Sequence, residues 1–244
     1  MIKFFRKIRQ KVLTENKFSK YLLYAIGEIL LVMVGILLAL QVNNWNEKRK
    51  LLLDERLILN GVLEDIKRDT IDLNFNMRGY QQQIELDSII LDHLINKKEN
   101  SELFEKSFRL VITGDFILTL HTSSYDEAKL KGITTETNNP LWDRINRLYN
   151  FYYPELIRFE HDFYTYKIDE YLFSVFDDVL EIDSLDGHPT INDKNYNELL
   201  ANKNIHWKFR RTKFLHKGSL SRYNTVYSEL LEIIDLIKIE LNKE

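Results

Sequence analysis

Tyr21–Val42 reads YLLYAIGEILLVMVGILLALQV, 22 residues with a single charge, Glu28. At about 1.5 Å per residue, a helix of this length spans about 33 Å, against a hydrocarbon core of about 30 Å. The run is apolar on every face, whereas a surface helix of a soluble fold keeps a polar stripe. It is also long for the apolar core of a cleaved leader. Glu28 interrupts it, and Leu38-Ala39-Leu40-Gln41 makes a poor small-residue cleavage site. The stretch therefore predicts a membrane-spanning helix over residues 21–42.

The flanks orient it. Lys3, Arg6, Lys7, Arg9, Lys11, Lys17 and Lys20 precede the span with one acid, Glu15, and Lys48, Arg49, Lys50 and Arg56 follow it. The excess of basic residues on the N-terminal side predicts residues 1–20 as a basic cytoplasmic segment and 43–244 as an extracytoplasmic helical domain. Tyr21, Tyr24 and Trp45 suit the two interfacial belts. Phe4, Phe5, Ile8 and Val12 alternate with basic residues at helical spacing, a pattern open to two readings: a surface-lying amphipathic turn, or a solvated stub that sets topology.

Composition narrows the rest. The 244 residues include no Cys, only 8 Gly and 3 Pro, but 14 Phe and 13 Tyr. There is no disulfide framework, no thiol nucleophile and no Cys-ligated metal. The net charge of −3 hides an asymmetry: residues 1–50 are strongly basic, and the remainder carries 24 basic against 34 acidic residues. An acidic body argues against nucleic acid as a partner.

From Trp45 the pattern is helical. Leu59, Val62, Ile66, Leu73, Met77, Tyr80, Ile84, Leu91 and Leu94 predict a long amphipathic helix over 46–97, able to run straight on from the span, with Gly61 and Gly79 as its bends. A helix over 101–113 carries Leu103, Phe104, Phe108, Val111 and Ile112, and GDFILTLH at 114–121 reads as a connector. Ser123 or Ser124 then caps a short helix that Gly132 stops. Asn139-Pro140 starts the next helix, with Leu141, Ile145, Leu148, Tyr149 and Tyr152 on its apolar face. Pro154 opens another, carrying a Tyr and Phe stripe that continues to Phe176. Residues 183–194 read as a loop, 195–202 as a short helix, and Phe209 to Leu241 as one long helix through Gly218. The fold class is all-α: about six helices in an elongated bundle, the long first and last helices antiparallel, the C-terminus returning toward the membrane.

The chemistry is sparse. The eight Gly are scattered, which excludes Gly-rich phosphate cradles and the nucleophile elbow. His161 sits between Glu160 and Asp162, but helix neighbours point about 100° apart and do not converge on a ligand. Asp65, Asp69 and Asp72 share one helical face, read here as a solvated face beside Lys67 and Arg68. The basic run Lys208–Lys217, interleaved with Trp207, Phe209 and Phe214, is read as neutralised by the acidic run Asp169–Asp186. No catalytic residue, cofactor-binding residue, metal ligand or small-molecule site is expected. The one site assigned is a membrane helix contact through Glu28, Gly35 and Ala39, spaced seven and four apart so that they share a face. An intramembrane acid seeks a partner, and Gly35-x-x-x-Ala39 lets a second helix approach closely.

The opening segments MIKFFRKIRQK, ENKFSKYLLYAIGEILLV and GILLALQVNNWNE resemble the start of the bacterial "domain of unknown function 6090" family of small single-pass membrane proteins. Ser124–Gly132 resembles that family's Ser-Tyr…Leu-Lys…Gly element, with Ala128-Lys129-Leu130 departing in its middle. The resemblance implies a single-pass protein of the bacterial inner membrane and supplies no activity. Together these readings predict a membrane-anchored helical interaction or scaffolding module, not an enzyme. Its partners would be the lipid bilayer and a second copy or partner membrane helix. The alternative is an extracytoplasmic ligand-sensing domain that signals through a partner membrane protein.

Overall fold

The computed structural model describes residues 18–113, 116–136, 139–165, 181–182 and 189–243. Its elements are helices α1 (Phe18–Asn96), α2 (Glu102–Thr113), α3 (Ser123–Leu130), α4 (Ile133–Glu136) and α5 (Pro140–Arg147), a π-helical turn at Leu148–Tyr152, and α6 (Tyr153–Thr165). Then come strands β1 (Glu181–Ile182) and β2 (Pro189–Thr190), and helices α7 (Asp193–Ala201) and α8 (Lys203–Leu241). The chain is all-α apart from the two-residue antiparallel pairing of β1 with β2, which periodicity did not indicate. Packing divides it into two units, Met1–Glu55 and Arg56–Glu244.

In the first unit α1 contains one stretch long and apolar enough to cross a membrane, and none of its most apolar window is buried. Every residue from Ile26 to Lys50 is exposed. The helix runs without a break from this stretch into the second unit, as the absence of proline before Pro140 allows.

The second unit is organised by two seams of strict three-four spacing. On α1 the positions are Leu59, Val62, Ile66, Asp69, Leu73, Asn76, Tyr80, Gln83, Asp87, Ile90 and Leu94, none more than 4% exposed. On α8 they are Ile205, Phe209, Thr212, His216, Ser219, Tyr223, Val226, Leu230, Ile233 and Ile237, none above 7%. A repeat of 3.5 residues keeps one face turned to a partner helix over many turns. The helices run antiparallel: Arg56 donates to the carbonyls of Leu241 (2.6 Å) and Lys243 (3.2 Å), Asn76 meets Tyr223, and Asp87 meets His216. The Arg56 guanidinium thereby supplies donors to the Leu241 carbonyl at the end of α8 and to the Lys243 carbonyl just beyond it. Gly218 interrupts neither the helix nor its phase.

The shorter elements pack around this pair. Ile90, Leu91 and Leu94 of α1, Phe104, Phe108 and Val111 of α2, Tyr196 and Leu199 of α7, and Ile205 and Phe209 of α8 form one cluster. Each such fully buried side chain contributes about 1.5–3 kcal/mol. Leu103, expected on this face, is instead 56% exposed. Asn139 caps α5 as its sequence suggests, its side chain accepting from the Leu141 N–H at 3.1 Å. The π-helical turn precedes Pro154, which has no N–H to return to the Asn150 carbonyl; a wider turn absorbs that gap. Gly132, at φ 72°, ends the α3 segment in the left-handed conformation that glycine adopts freely. The aromatic stripe from Tyr166 to Phe176 and residues 183–188 of the expected loop lie outside the described residues, while the rest of that loop contains β2 and the start of α7.

Gly61 and Gly79 lie within unbroken helix and mark close approaches rather than bends. A Cβ on Gly61 would stand 2.6 Å from Ser124 Oγ, and one on Gly79 would stand 2.1 Å from Phe116 Cε1.

Candidate functional site

The chemistry-bearing side chains of the second unit gather in the seam itself. Asp69, Asn76 and Gln83 follow one another at seven-residue intervals, and Asp87 lies one turn beyond Gln83. In α1 these positions face inward, so polar groups occupy places that the spacing reserves for apolar ones. A buried polar group is costly unless hydrogen-bonded, so each must be met from elsewhere.

Asp65, Asp69 and Asp72 do not form the solvated face that their charge suggested. Asp69 is fully buried and Asp65 5% exposed, and all three carboxylates accept from the connector and the start of α3. The backbone N–H of Thr119 donates to Asp72 (2.8 Å), that of His121 to Asp69 (3.0 Å) and that of Ser124 to Asp65 (3.1 Å). The three acids strap residues 119–124 along α1. Asp65 thereby satisfies an orphan N–H at the start of α3, where the local cap, Thr122, makes no side-chain cap bond.

Asp69 is the centre of this strap. Besides the His121 N–H, its carboxylate meets His121 Nδ1 at 2.8 Å and accepts from Tyr153 Oη at 2.7 Å. Burial raises its pKa despite these bonds. Burial, and then the Asp69 charge, push the phenols of Tyr149 and Tyr153 above their ordinary range. Tyr149 donates to the His121 carbonyl at 3.2 Å and stacks on Tyr125, ring centroids 4.2 Å apart. Tyr125 in turn bonds Asn146 and Asn150.

Next along the seam, Tyr223 is hydrogen-bonded to Glu160 and accepts from Asn76 Nδ2 at 3.2 Å. The second oxygen of Glu160 accepts from the Leu118 N–H at 3.3 Å, a fourth carboxylate on the connector. Tyr80 packs against Tyr223, Phe116 and His216 at centroid distances of 5.3, 5.3 and 6.1 Å. Beyond it, His216 Nδ1 meets Asp87 Oδ2 at 2.7 Å, and Gln83 donates to the Leu110 carbonyl at 3.0 Å. Gln83 Oε1 and Asp87 Oδ1, both buried, find no hydrogen-bond donor among the described residues. At the far end, His93 meets Tyr196, whose hydroxyl donates to the Lys98 carbonyl. Burial lowers the His93 pKa, aided by the nearby Lys98 charge.

Residues 28–201 match the model of the Family of unknown function (DUF6090). The chain belongs to that family. No curated protein and no solved structure matches it. The DUF6090 match takes in Asp65, Asp69, Asp72 and the Ser124–Gly132 element, and ends before α8. Part of that element now has a physical reading: Ser124 packs against Gly61 while its N–H reaches Asp65, Tyr125 stacks on Tyr149, and Gly132 supplies the left-handed turn.

The three residues assigned from sequence in this DUF6090 chain lie elsewhere. Glu28, Gly35 and Ala39 are exposed on α1 within the first unit, and a Cβ added at Gly35 meets nothing within 4 Å. They belong to no part of the polar seam. His161 has an 80% exposed side chain, 3.8 Å from Asp162. No group of three or more metal-ligating side chains occurs among the described residues. The acidic run proposed to neutralise Lys208–Lys217 lies almost wholly outside the described residues. Asp, Asn and Gln are ordinarily surface types, so residue type alone does not place the polar side chains of the seam in a buried position. The signal that would have found them is phase: they fall on the buried positions of a heptad.

Proposed function

We propose that this protein is a membrane-anchored helical interaction module rather than an enzyme, crossing the bacterial inner membrane once with residues 1–20 in the cytoplasm and the body outside it. The observation that carries the reading is the exposed apolar run of α1, with a mean hydropathy of 2.5 and none of it buried. A core helix of a soluble fold would be covered by its own chain. The seam supports the second half of the reading: its polar layers fix the pairing of α1 with α8 and the connector, which suits a helix pair held in one register.

The face of Glu28, Gly35 and Ala39 is the proposed contact with a second copy or a partner membrane helix. Glu28 supplies a hydrogen bond where few polar groups exist, and Gly35 leaves room for backbone approach. The test is self-association of the full chain in membranes, read by two-hybrid signal or crosslinking. Interhelical hydrogen bonds there are worth about 0.6 and at most about 2 kcal/mol, so Glu28→Leu lowers association by about three-fold to thirty-fold. Gly35→Ile lowers it through packing, and Ile29→Leu leaves it unchanged. Equal association in all three variants would sink the contact. A body protected from externally added protease while residues 1–20 are cut would sink the orientation.

A further inference from the structure

Between Glu198 and Glu229 the chain carries seven Lys or Arg and no Asp or Glu, although residues 51–244 as a whole are acidic. The structure places this stretch in α7 and the first two-thirds of α8 and sorts its side chains by face. Ile205, Phe209, Thr212, His216, Ser219 and Tyr223 turn inward along the seam. Lys203, Trp207, Arg210, Arg211, Phe214 and Lys217, at spacings of three and four, share the opposite face, and all six are exposed. Trp207 is 53% exposed and Phe214 64%.

Two features set this stripe apart. Its cations differ from many others of the body: Lys67 pairs with Glu64, Lys131 with Glu127, Arg144 with Glu229 and Glu232, Arg158 with Glu155, Lys238 with Asp235 and Lys243 with Glu240. Lys203, Arg210, Arg211 and Lys217 make no ion pair with any described residue. The Arg211 guanidinium lies over the Phe214 ring, 5.5 Å from its centroid. Two large aromatic side chains stand among these cations instead of acids. Exposed aromatic rings flanked by Arg and Lys that pair with no described acid, all on one helical face, are the chemistry of an anionic lipid surface: the cations meet headgroup charge and the rings enter the acyl boundary.

We propose that the Lys203–Lys217 face of α8 docks on an anionic phospholipid surface. This goes beyond the anchoring reading and does not need it, because the stripe lies in the second unit, where His216 sets its place beside Asp87 and Arg56 marks the other end of the helix pair. The experiment uses the full chain carried in phosphatidylcholine nanodiscs, mixed with vesicles of either phosphatidylcholine alone or phosphatidylcholine with phosphatidylglycerol. Cosedimentation is expected with the anionic vesicles only, and it falls as salt is raised. Each surface cation is worth about 1 kcal/mol against such a membrane, so the double variant Arg210→Gln, Arg211→Gln binds about 30-fold more weakly. Phe214→Ala weakens binding by a few-fold, and Lys67→Gln, which removes a paired cation elsewhere, leaves it unchanged. Equal binding to neutral vesicles, insensitivity to salt, or an unaffected double variant would overturn the proposal. Preferential binding of poly-glutamate would also overturn it, in favour of an acidic protein partner. A chain that fails to enter nanodiscs but still binds anionic vesicles would refute the anchor and leave the stripe intact.

Discussion

The His216 imidazole and the Asp87 carboxylate meet at 2.7 Å with side chains 1% and 0% exposed, 129 residues apart in sequence. The contact joins the two long helices, with Tyr80 packed against His216 and the buried Gln83, Thr212 and Ser219 as its neighbours along the seam. A hydrogen-bonded pair in such a place constrains register, because sliding either helix by one residue strands both groups without a partner.

Truncating one member is expected to cost more than replacing both. His216→Leu leaves the Asp87 carboxylate buried opposite a hydrocarbon, a change worth about 3–5 kcal/mol when charge is left uncompensated. The double variant His216→Leu, Asp87→Leu removes the stranded group and recovers most of that loss. Denaturant midpoints of the four proteins close the cycle; strictly additive single effects would mean that the contact carries no coupling.

The strap predicts a pH dependence with a definite sign. Burial raises Asp69 above its ordinary 3.8, so the folded protein binds that proton more readily than the unfolded chain. The stabilisation from this group is fully present below 3.8 and is lost as pH rises through the raised folded value. Stability of the native protein relative to Asp69→Asn therefore declines across the acidic range and levels off above it. Denaturation midpoints of both proteins from strong acid to neutrality measure the difference; a relative stability that climbs with pH would reverse the assignment.

The phenols above Asp69 give a spectroscopic check. Tyr149 and Tyr153 resist ionisation because burial and then the Asp69 charge oppose a phenolate. Phenolate absorbance in alkaline titration is expected to lack at least Tyr149 and Tyr153 of the chain's 13 tyrosines until the fold is lost. In Asp69→Asn the charge contribution disappears and burial remains, so the two still titrate late. Early titration of either residue would show that the strap is open in solution.

Sequence legibility divided along chemical lines. The apolar spacing of Leu59, Val62, Ile66, Leu73 and Tyr80 locates α1 and its buried face, and the phase held through Gly218 makes α8 one helix. At 215–216 of α8 residue type favours Leu215 for the seam and phase favours His216, and it is His216 that is buried. Asp69, Asn76, Gln83 and Asp87 fall on the heptad but belong to types that are rarely buried without partners. Those partners, Leu110, His121, Tyr153, Tyr223 and His216, come from elements 27 to 147 residues away, about which helical periodicity says nothing. The π-helical turn and the β1–β2 pairing are likewise products of a single proline and a two-residue contact, too small to leave a period.

Gly79 of α1 and Gly218 of α8 predict opposite outcomes for one substitution. At Gly79 an added Cβ falls 2.1 Å from Phe116 Cε1, and the whole ring edge lies within 2.5 Å. Phe116 belongs to the strapped connector and packs on Tyr80 at 5.3 Å, so moving it disturbs the carboxylate contacts on either side. Gly79→Ala is expected to destabilise by about 1–3 kcal/mol, the usual cost of overpacking. At Gly218 the nearest atom is Arg222 Nη1 at 3.3 Å, the far end of a flexible side chain that can turn away. Gly218→Ala then gains helix propensity, a stabilisation of about 1 kcal/mol. Thermal or denaturant unfolding of the full chain reads both variants. The combination Gly79→Ala, Phe116→Leu tests the cause, because a smaller side chain at 116 relieves the clash and restores part of the loss. If Gly79→Ala were as stable as Gly218→Ala, the close packing of the connector against α1 would be wrong.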